Sequence, residues 1–367
     1  MRKKQDYAKR PGRGENPAGK KVLPGKAARA GRRAASAAGG DARAGFAQLQ
    51  RGLTGERSLI GESYMDNHAM LEAYLEYYWP VSRAQAAHAI AVGYGPRFAD
   101  SVKTVIDAGS GPGPVAAAFS DAGAQAVCLV DQSRRALDLA LRELPRRCTK
   151  HASLSACAAD LSRPDPAAIP LWGKADCVSF GHSLNELFSG DPARIEKRAD
   201  LLEVYSHALA GGGKILVIEP ALLSTSRDLI AVRNLLVDRG WRVAAPCCGR
   251  ETLPCPALAA GPQHTCHEEI SWTLPDGVAR LAGTLKLDKE SLKMAWFLLE
   301  PPHAGGSLHA GEGLHAGEGL HAGGSLHADA RFPATVYRVV SDPMLNKSGR
   351  VRRLLCGREG RFPLSAE

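Results

Sequence analysis

The sequence predicts a doubly wound α/β fold, a mostly parallel sheet with helices on both faces, and three observations predict it. The apolar run Thr104 to Ala108 breaks into glycines at 109, 111 and 113, as a buried strand does when it opens into a tight loop. Further short apolar runs follow, separated by helical stretches, and such alternation makes parallel strands with right-handed crossovers. Acids mark the first two strands, Asp107 inside the first and Asp131 at the end of the second. Open α/β sheets bind ligands outside the carboxyl ends of their strands.

Residues 1–44, rich in Arg, Lys, Gly, Ala and Pro, cannot bury enough apolar surface to fold alone. The net charge of +9 is concentrated there, since residues 1–50 hold thirteen Lys/Arg against Asp6, Glu15 and Asp41. This tail reads either as an arm that neutralises RNA phosphates or as a solvated segment. Over residues 45–100 the spacing turns helical, with Met65, Met70, Leu71, Tyr74, Leu75, Tyr78 and Trp79 recurring at threes and fours. Pro80 is expected to end that helix and Ser82 to cap the next, Arg83 to Val92. The aromatics read as core packing rather than a base-stacking surface.

Residues 101–245 form the core of the prediction. The glycines 109, 111 and 113 let the backbone turn sharply and approach a ligand, with a helix from Pro114 to Ala122 pointing its amide end there. A second strand, Ala126 to Val130, ends at Asp131, placed to hydrogen-bond ribose hydroxyls or to cap the next helix through Ser133. A short third strand, Ala156 to Ala159, ends at Asp160, and a fourth runs Ala175 to Phe180. Beyond it, His182, Asn185 and Glu186 are candidate pocket residues, with loop and capping roles as the alternative. A helix over Arg194 to Leu209, a turn at Gly211 to Gly213, a strand over Lys214 to Ile218 and a helix over Arg227 to Arg239 complete the pattern.

The loop D-A-G-S-G-P-G at 107–113 resembles motif I of the class I S-adenosylmethionine-dependent methyltransferases. Strict G-x-G-x-x-G fails at Pro114, but a relaxed form through Gly111, Gly113 and Ala116 keeps NAD as the second ligand. The resemblance implies a Rossmann-like fold binding S-adenosylmethionine through Asp107, Gly109, Gly111, Gly113, Asp131 and Asp160. No D-P-P-Y-like signature for base amines and no cysteine nucleophile motif accompanies it.

After Gly240 the sequence leaves that plan. Cys247, Cys248, Cys255 and Cys266 crowd between prolines in residues 246–302, and Cys356 lies far downstream. Thiols in such loops suit a metal or cluster better than a core. Zinc is one reading, with His264 and His267 as further ligands, although short C-x-x-C pairs are absent. Cys128 and Cys177, inside strands, read as small buried hydrophobes. Lys293 to Leu299 and Thr335 to Val340 read as late strands flanking a hexapeptide repeat opened by His303, His309, His315, His321 and His327. Its composition over 303–330 gives no packed core. Residues 331–367 add Lys347, Arg350, Arg352, Arg353, Arg358 and Arg361 around Cys356.

D-A-G-S-G-P-G, S-L-N-E-L, V-I-E-P, the cysteines after A-P-C and the closing L-L-C-G-R-E-G together resemble a known family. It is that of the methyltransferase-like proteins associated with the mitochondrial small ribosomal subunit, and their bacterial relatives. The resemblance covers about residues 60–300 and 332–361. It implies a four-iron four-sulfur (4Fe-4S) cluster on Cys247, Cys255, Cys266 and Cys356, and the small subunit and its rRNA as partners. One departure is the spacing of the first two cysteines, which leaves Cys248 open as an alternative to Cys247 and puts Gly249 where the family commonly has His.

The function expected from all this is a small-subunit assembly factor that binds S-adenosylmethionine and methylates rRNA. The alternatives are a non-catalytic rRNA-binding module and a small-molecule methyltransferase. No uncharged apolar stretch approaches the ~20 residues of a bilayer span and no signal core opens the chain. A soluble protein without a membrane partner is expected, monomeric by default. Nine cysteines without secreted-domain spacing suit a reducing compartment, the bacterial cytoplasm or alternatively the mitochondrial matrix.

Overall fold

Five parallel strands carry the first half of the sheet. They are β1 (Thr104–Ala108), β2 (Ala126–Asp131), β3 (Ser153–Ala158), β4 (Ala175–Gly181) and β5 (Leu209–Pro220). The computed structural model describes residues 44–55, 65, 67–287, 290–302, 336–341, 343–345 and 347–365. The basic tail and the His/Gly repeat anticipated above therefore lie outside the described residues, and so do the repeat's histidines. The strand order is β3-β2-β1-β4-β5-β8-β6, where β6 is Arg242–Ala245 and β8 is Ser291–Glu300. β8 runs antiparallel to both β5 and β6, and β7 (Glu268–Ser271) adds antiparallel to β8. A dinucleotide fold sets its sixth strand directly against the fifth. Here an antiparallel strand is wedged between them.

Alternate residues of each strand feed two hydrophobic layers, one on each face. On one face Ile106, Val130, Phe180 and Val217 pack with Ala199, Leu202, Leu229 and Leu236. The last four come from α4 (Arg194–Ser206) and α5 (Leu223–Asp238). On the other face Val105, Val127, Leu129 and Leu216 meet Ile90, Phe119, Leu137 and Leu144. These belong to α1 (Trp79–Tyr94), α2 (Pro114–Ala122) and α3 (Arg134–Arg147). Each such fully buried aliphatic side chain contributes about 1.5–3 kcal/mol, and helices on both faces make the sheet doubly wound as expected. Cys128 and Cys177 are buried in these layers.

Ahead of the sheet, the helical segment differs from its expectation at Pro80. A π-type turn over Tyr74–Tyr78 follows the helix His68–Ala73 and runs into α1, so that Pro80 lies in the first turn of α1. There a missing N–H costs little. Phe46, Tyr77 and Val81 form a third cluster with Val278 and Leu281 of α6 (Asp276–Thr284). β5 also runs straight through Gly211–Gly213, where the glycines predict a turn; the parallel pairing with β4 shifts register near Ala175 and absorbs the extra backbone.

The C-terminal segment builds a separate four-stranded sheet of β9 (Arg338–Val339), β10 (Met344–Leu345), β11 (Val351–Gly357) and β12 (Gly360–Ser365). The antiparallel register places Arg338 of β9 and Arg361 of β12 on either side of Cys356. No helix among the described residues is long and apolar enough to cross a membrane.

Candidate functional site

The strand order reverses between β1 and β4, and the loops leaving these two strands open a crevice between them. A cavity of 580 Å³ lies there, within the range of cofactor sites. Gly109, Gly111, Asp131, Asp160, His182, Asn185 and Glu186 all line it. Asp107 and Gly113 stand behind this wall. Asp107 is fully buried and accepts hydrogen bonds from the Ser179 hydroxyl (2.7 Å) and the Ala116 amide at the start of α2 (3.1 Å). It therefore ties β1, β4 and α2 together beneath the loop.

Asp131 fills two roles at once. Its Oδ2 accepts from the Gly111 amide at 2.8 Å and its Oδ1 from the Ser133 amide at 2.9 Å, while Ser133 caps α3 through Ala136. Both the helix-entry role and the place on the cavity wall are thus met by one carboxylate. Asp160 likewise turns its own loop, accepting from the amide and hydroxyl of Ser162.

Asn185 is anchored from below. Its amide N–H and side chain both donate to Glu219 at the end of β5, and Arg198 donates to the Asn185 carbonyl and to Asp228. Burial pushes Glu219 up to about 8, against the favourable Asn185 and Arg198 contacts. Burial likewise pushes Asp107 up to about 7, against its two hydrogen bonds.

Both carboxyls bind a proton more tightly folded than unfolded, so stability falls as pH rises from the ordinary carboxylate range through these raised values. Each group then accounts for a loss on the order of 4 kcal/mol by pH 8. Urea midpoints at pH 5 and pH 8 should therefore differ less for Asp107→Asn than for the wild-type chain. An unchanged difference would show that Asp107 is ionised in the fold at both values.

Sequence reasoning missed the roof of the cavity. Gln50, Leu53, Met65, Tyr74, Tyr78, Ser82 and Gln85, all from the helical segment, line its other side. Trp79 fastens that segment down, its indole N–H donating to the Pro112 carbonyl of the glycine loop at 3.1 Å. The helical spacing announced the segment, but of the aromatics over residues 74–79 Tyr77 and Trp79 are buried in the core, while Tyr74 and Tyr78 reach the cavity.

A second, small cavity of about 20 Å³ lies between the cysteine loops and the C-terminal sheet. Cys247, Cys248, Cys255, Cys266 and Cys356 line it, with Arg233, Arg250 and Arg338. His264 and His267 do not. Cys255 hydrogen-bonds Cys266, which holds Cys266 down toward its thiolate with help from Arg338 and Arg361, whereas Cys255 is raised. Cys247 interacts electrostatically with Cys266 and Cys356, while the charged neighbours of Cys248 are Arg338, Glu251 and Glu268. Among the described residues no three Cys, His, Asp or Glu gather closely enough to hold a single metal ion.

The surroundings of this cavity fit an anionic group. Arg233 is fully buried and stands 4.0 Å from Cys247 Sγ, and Arg338 donates toward Cys266 Sγ at 3.7 Å. The Nε–H of Arg233, Arg250, Arg338 and Arg361, and Nη1 of Arg361, are buried without a hydrogen-bond partner among the described residues, whereas other guanidinium nitrogens of the first three bond backbone carbonyls or Glu268. The Arg338 charge is offset in part by its ion pair with Glu268 at 3.1 Å, and thiolates beside the other buried guanidinium groups would offset a desolvation cost of several kcal/mol. Arg361, grouped by sequence with a basic surface, is half-buried opposite Cys356 and acts electrostatically on Cys266, whereas Lys347, Arg350, Arg352, Arg353 and Arg358 are exposed.

No protein-family model matches the chain. No curated protein matches it either. Among solved structures, a candidate RNA methyltransferase from Pyrococcus horikoshii is 14% identical, with a TM-score of 0.35 over 59% of this chain and 84% of that one. A ribosomal protein L11 methylase from Lactobacillus delbrueckii subsp. bulgaricus is 13% identical, with a TM-score of 0.34 over 60% of this chain and 80% of its own. The magnesium protoporphyrin IX methyltransferase of Synechocystis with bound S-adenosylmethionine is 13% identical, with a TM-score of 0.36 over 60% and 79%. Likenesses this distant leave the reading of the site to its own residues.

Proposed function

We propose that the chain is an S-adenosylmethionine-binding, iron–sulfur-containing methyltransferase-like factor acting in small ribosomal subunit assembly, with rRNA as its methyl acceptor. The observation that carries the cofactor reading is the cavity at the strand-order reversal, walled by Gly109, Gly111, Asp131 and Asp160. Loop amides and strand-end acids there suit an adenosine-containing ligand. The antiparallel strand between β5 and β6 favours S-adenosylmethionine over NAD.

Cys247, Cys255, Cys266 and Cys356 would hold the 4Fe-4S cluster, which supplies a cross-link between the cysteine loops and the C-terminal sheet and, when redox active, an electron site. Zinc would draw its four sulfurs to about 2.3 Å from one point. The thiols here line a void of about 20 Å³, room for about one water, so the buried guanidinium groups beside them and the sequence resemblance, not the space, favour the cluster. The exposed Arg352 and Arg353 on β11, beside that centre, supply cations for rRNA phosphates together with the basic tail. A non-catalytic assembly factor is the second reading, favoured by the missing base-amine signature.

The test is methyl incorporation from labelled S-adenosylmethionine into small-subunit rRNA, with co-sedimentation on small subunits measured alongside. Transfer by the wild-type chain, and binding weakened about tenfold or more by deleting residues 1–44, support the proposal. Binding without transfer points to the non-catalytic reading. Neither binding nor transfer overturns both.

A further inference from the structure

His182 sits where β4 leaves the sheet, on the wall of the cofactor cavity. Its backbone adopts φ 63°, a left-handed conformation uncommon for a non-glycine residue. Two hydrogen bonds enforce it, from the His182 amide to the Ile218 carbonyl at 2.7 Å and from the Asn185 side chain to the His182 carbonyl at 2.9 Å. A strained backbone held this firmly aims a side chain.

The ring itself is fixed by a relay from two other elements. Gln85 of α1 donates its Nε2 to the Lys293 carbonyl of β8 at 3.0 Å, which leaves its Oε1 facing His182 Nε2 at 2.9 Å. An amide oxygen only accepts, so the imidazole carries its proton on Nε2. Nδ1 is then an unprotonated acceptor, and no other partner of the ring is recorded among the described residues.

We propose that His182 Nδ1 is the proton acceptor for methyl transfer to a conjugated amine of the substrate, such as the exocyclic amino group of a nucleobase, and that Gln85 is its positioning residue. This inference rests on the methyl-transfer reading above. In the step, the acceptor nitrogen's lone pair forms the bond to the methyl carbon. The carbon–sulfur bond breaks with its pair going to sulfur, which becomes a neutral thioether. The positive charge passes to nitrogen, whose proton moves to Nδ1 and from there to solvent.

The class of acceptor is taken from the rRNA reading above, and the strength of the base agrees with it. Burial pushes the His182 imidazole down to about 4, so it is neutral at pH 7. A base so weak does not ionise an alcohol before attack, nor does it deprotonate a methylated aliphatic ammonium, whose pKa is about 10. It does take the proton of a methylated conjugated amine, because delocalisation makes that cation strongly acidic. General-base groups of this kind contribute about 10²–10⁴-fold.

The test uses the anaerobically purified full chain, labelled S-adenosylmethionine and rRNA of small subunits from cells lacking the protein. His182→Asn keeps a residue that tolerates the left-handed backbone. Transfer at saturating cofactor should fall about 100-fold or more. Gln85→Glu, which still accepts from Nε2, should move the acid limb of the pH–rate profile upward, as a carboxylate favours the imidazolium. Nitrogen NMR of the wild-type protein should show the His182 proton on Nε2, and the product should be an N-methylated base amine. Undiminished transfer by His182→Asn, a methyl group on carbon or ribose oxygen, or a proton on Nδ1 would each overturn the base while leaving methyl transfer standing. No transfer by the wild-type chain would remove the methyl-transfer reading and the base with it.

Discussion

Cys247→Ala is expected to abolish iron and sulfide binding, and Cys248→Ala to leave both intact. The two residues are adjacent, yet only the Cys247 thiol has Cys266 and Cys356 as electrostatic neighbours and an arginine, Arg233, 4.0 Å from its sulfur. Cys248 instead donates weakly to the Pro246 carbonyl and has acids, Glu251 and Glu268, nearby. Like Cys247→Ala, single alanine variants at 255, 266 and 356 should lose the visible absorption of the anaerobic protein. A bound centre stabilises only the folded state, so each loss should lower the melting temperature by about 10 °C. Retained iron in Cys247→Ala with loss in Cys248→Ala would reverse the assignment, and wild-type protein without iron or sulfide would end the cluster proposal.

The second large effect is expected at Gly109. Its φ is 76°, and a Cβ there would fall 2.3 Å from the Ser183 Cβ. Ser183 cannot withdraw readily, because its hydroxyl donates to the Ala108 carbonyl at 2.8 Å. Gly109→Ala therefore displaces the loop that walls the cavity, and S-adenosylmethionine affinity should fall by about 100-fold or more. Gly190→Ala is the matched control, with φ 82° and open space around its Cβ. It should lose only the roughly 1–2 kcal/mol of left-handed strain and keep its affinity. Equal binding by the two variants would separate the glycine loop from the cofactor.

The legible parts of the fold are those whose physics is local. Strands β1, β2, β4 and β8 are buried on both faces, so they stand out as continuous apolar runs closed by glycine or an acid. The helix expected over Pro114 to Ala122 has those bounds as α2, bracketed by the left-handed Gly113 and Gly123. What the sequence concealed depends on pairing between distant segments. Nothing in residues 336–365 alone announces that Arg338 and Arg361 will flank Cys356, because that follows from antiparallel register across three strands. Pro80 signalled a helix end, and the π-type turn before it absorbed the break.

The candidate site divides the same way. Gly109, Gly111, Asp131, Asp160, His182, Asn185 and Glu186 were legible because they sit at strand ends, and the structure gathers them on one wall. Asp107 was legible as a motif residue, but its full burial was not, since only the β4 and α2 partners create it. Gln85 carried no signal in an Ala-rich helix; a residue 97 positions from His182 meets it only because α1 packs along α2 and β8.

The most direct measurement of the central claim is calorimetric titration of the full-length, anaerobically purified protein with S-adenosylmethionine and, separately, with NAD. One equivalent of S-adenosylmethionine bound in the micromolar range, with no heat from NAD, is the predicted result. Saturable NAD binding, or no S-adenosylmethionine binding at millimolar concentration, would contradict it.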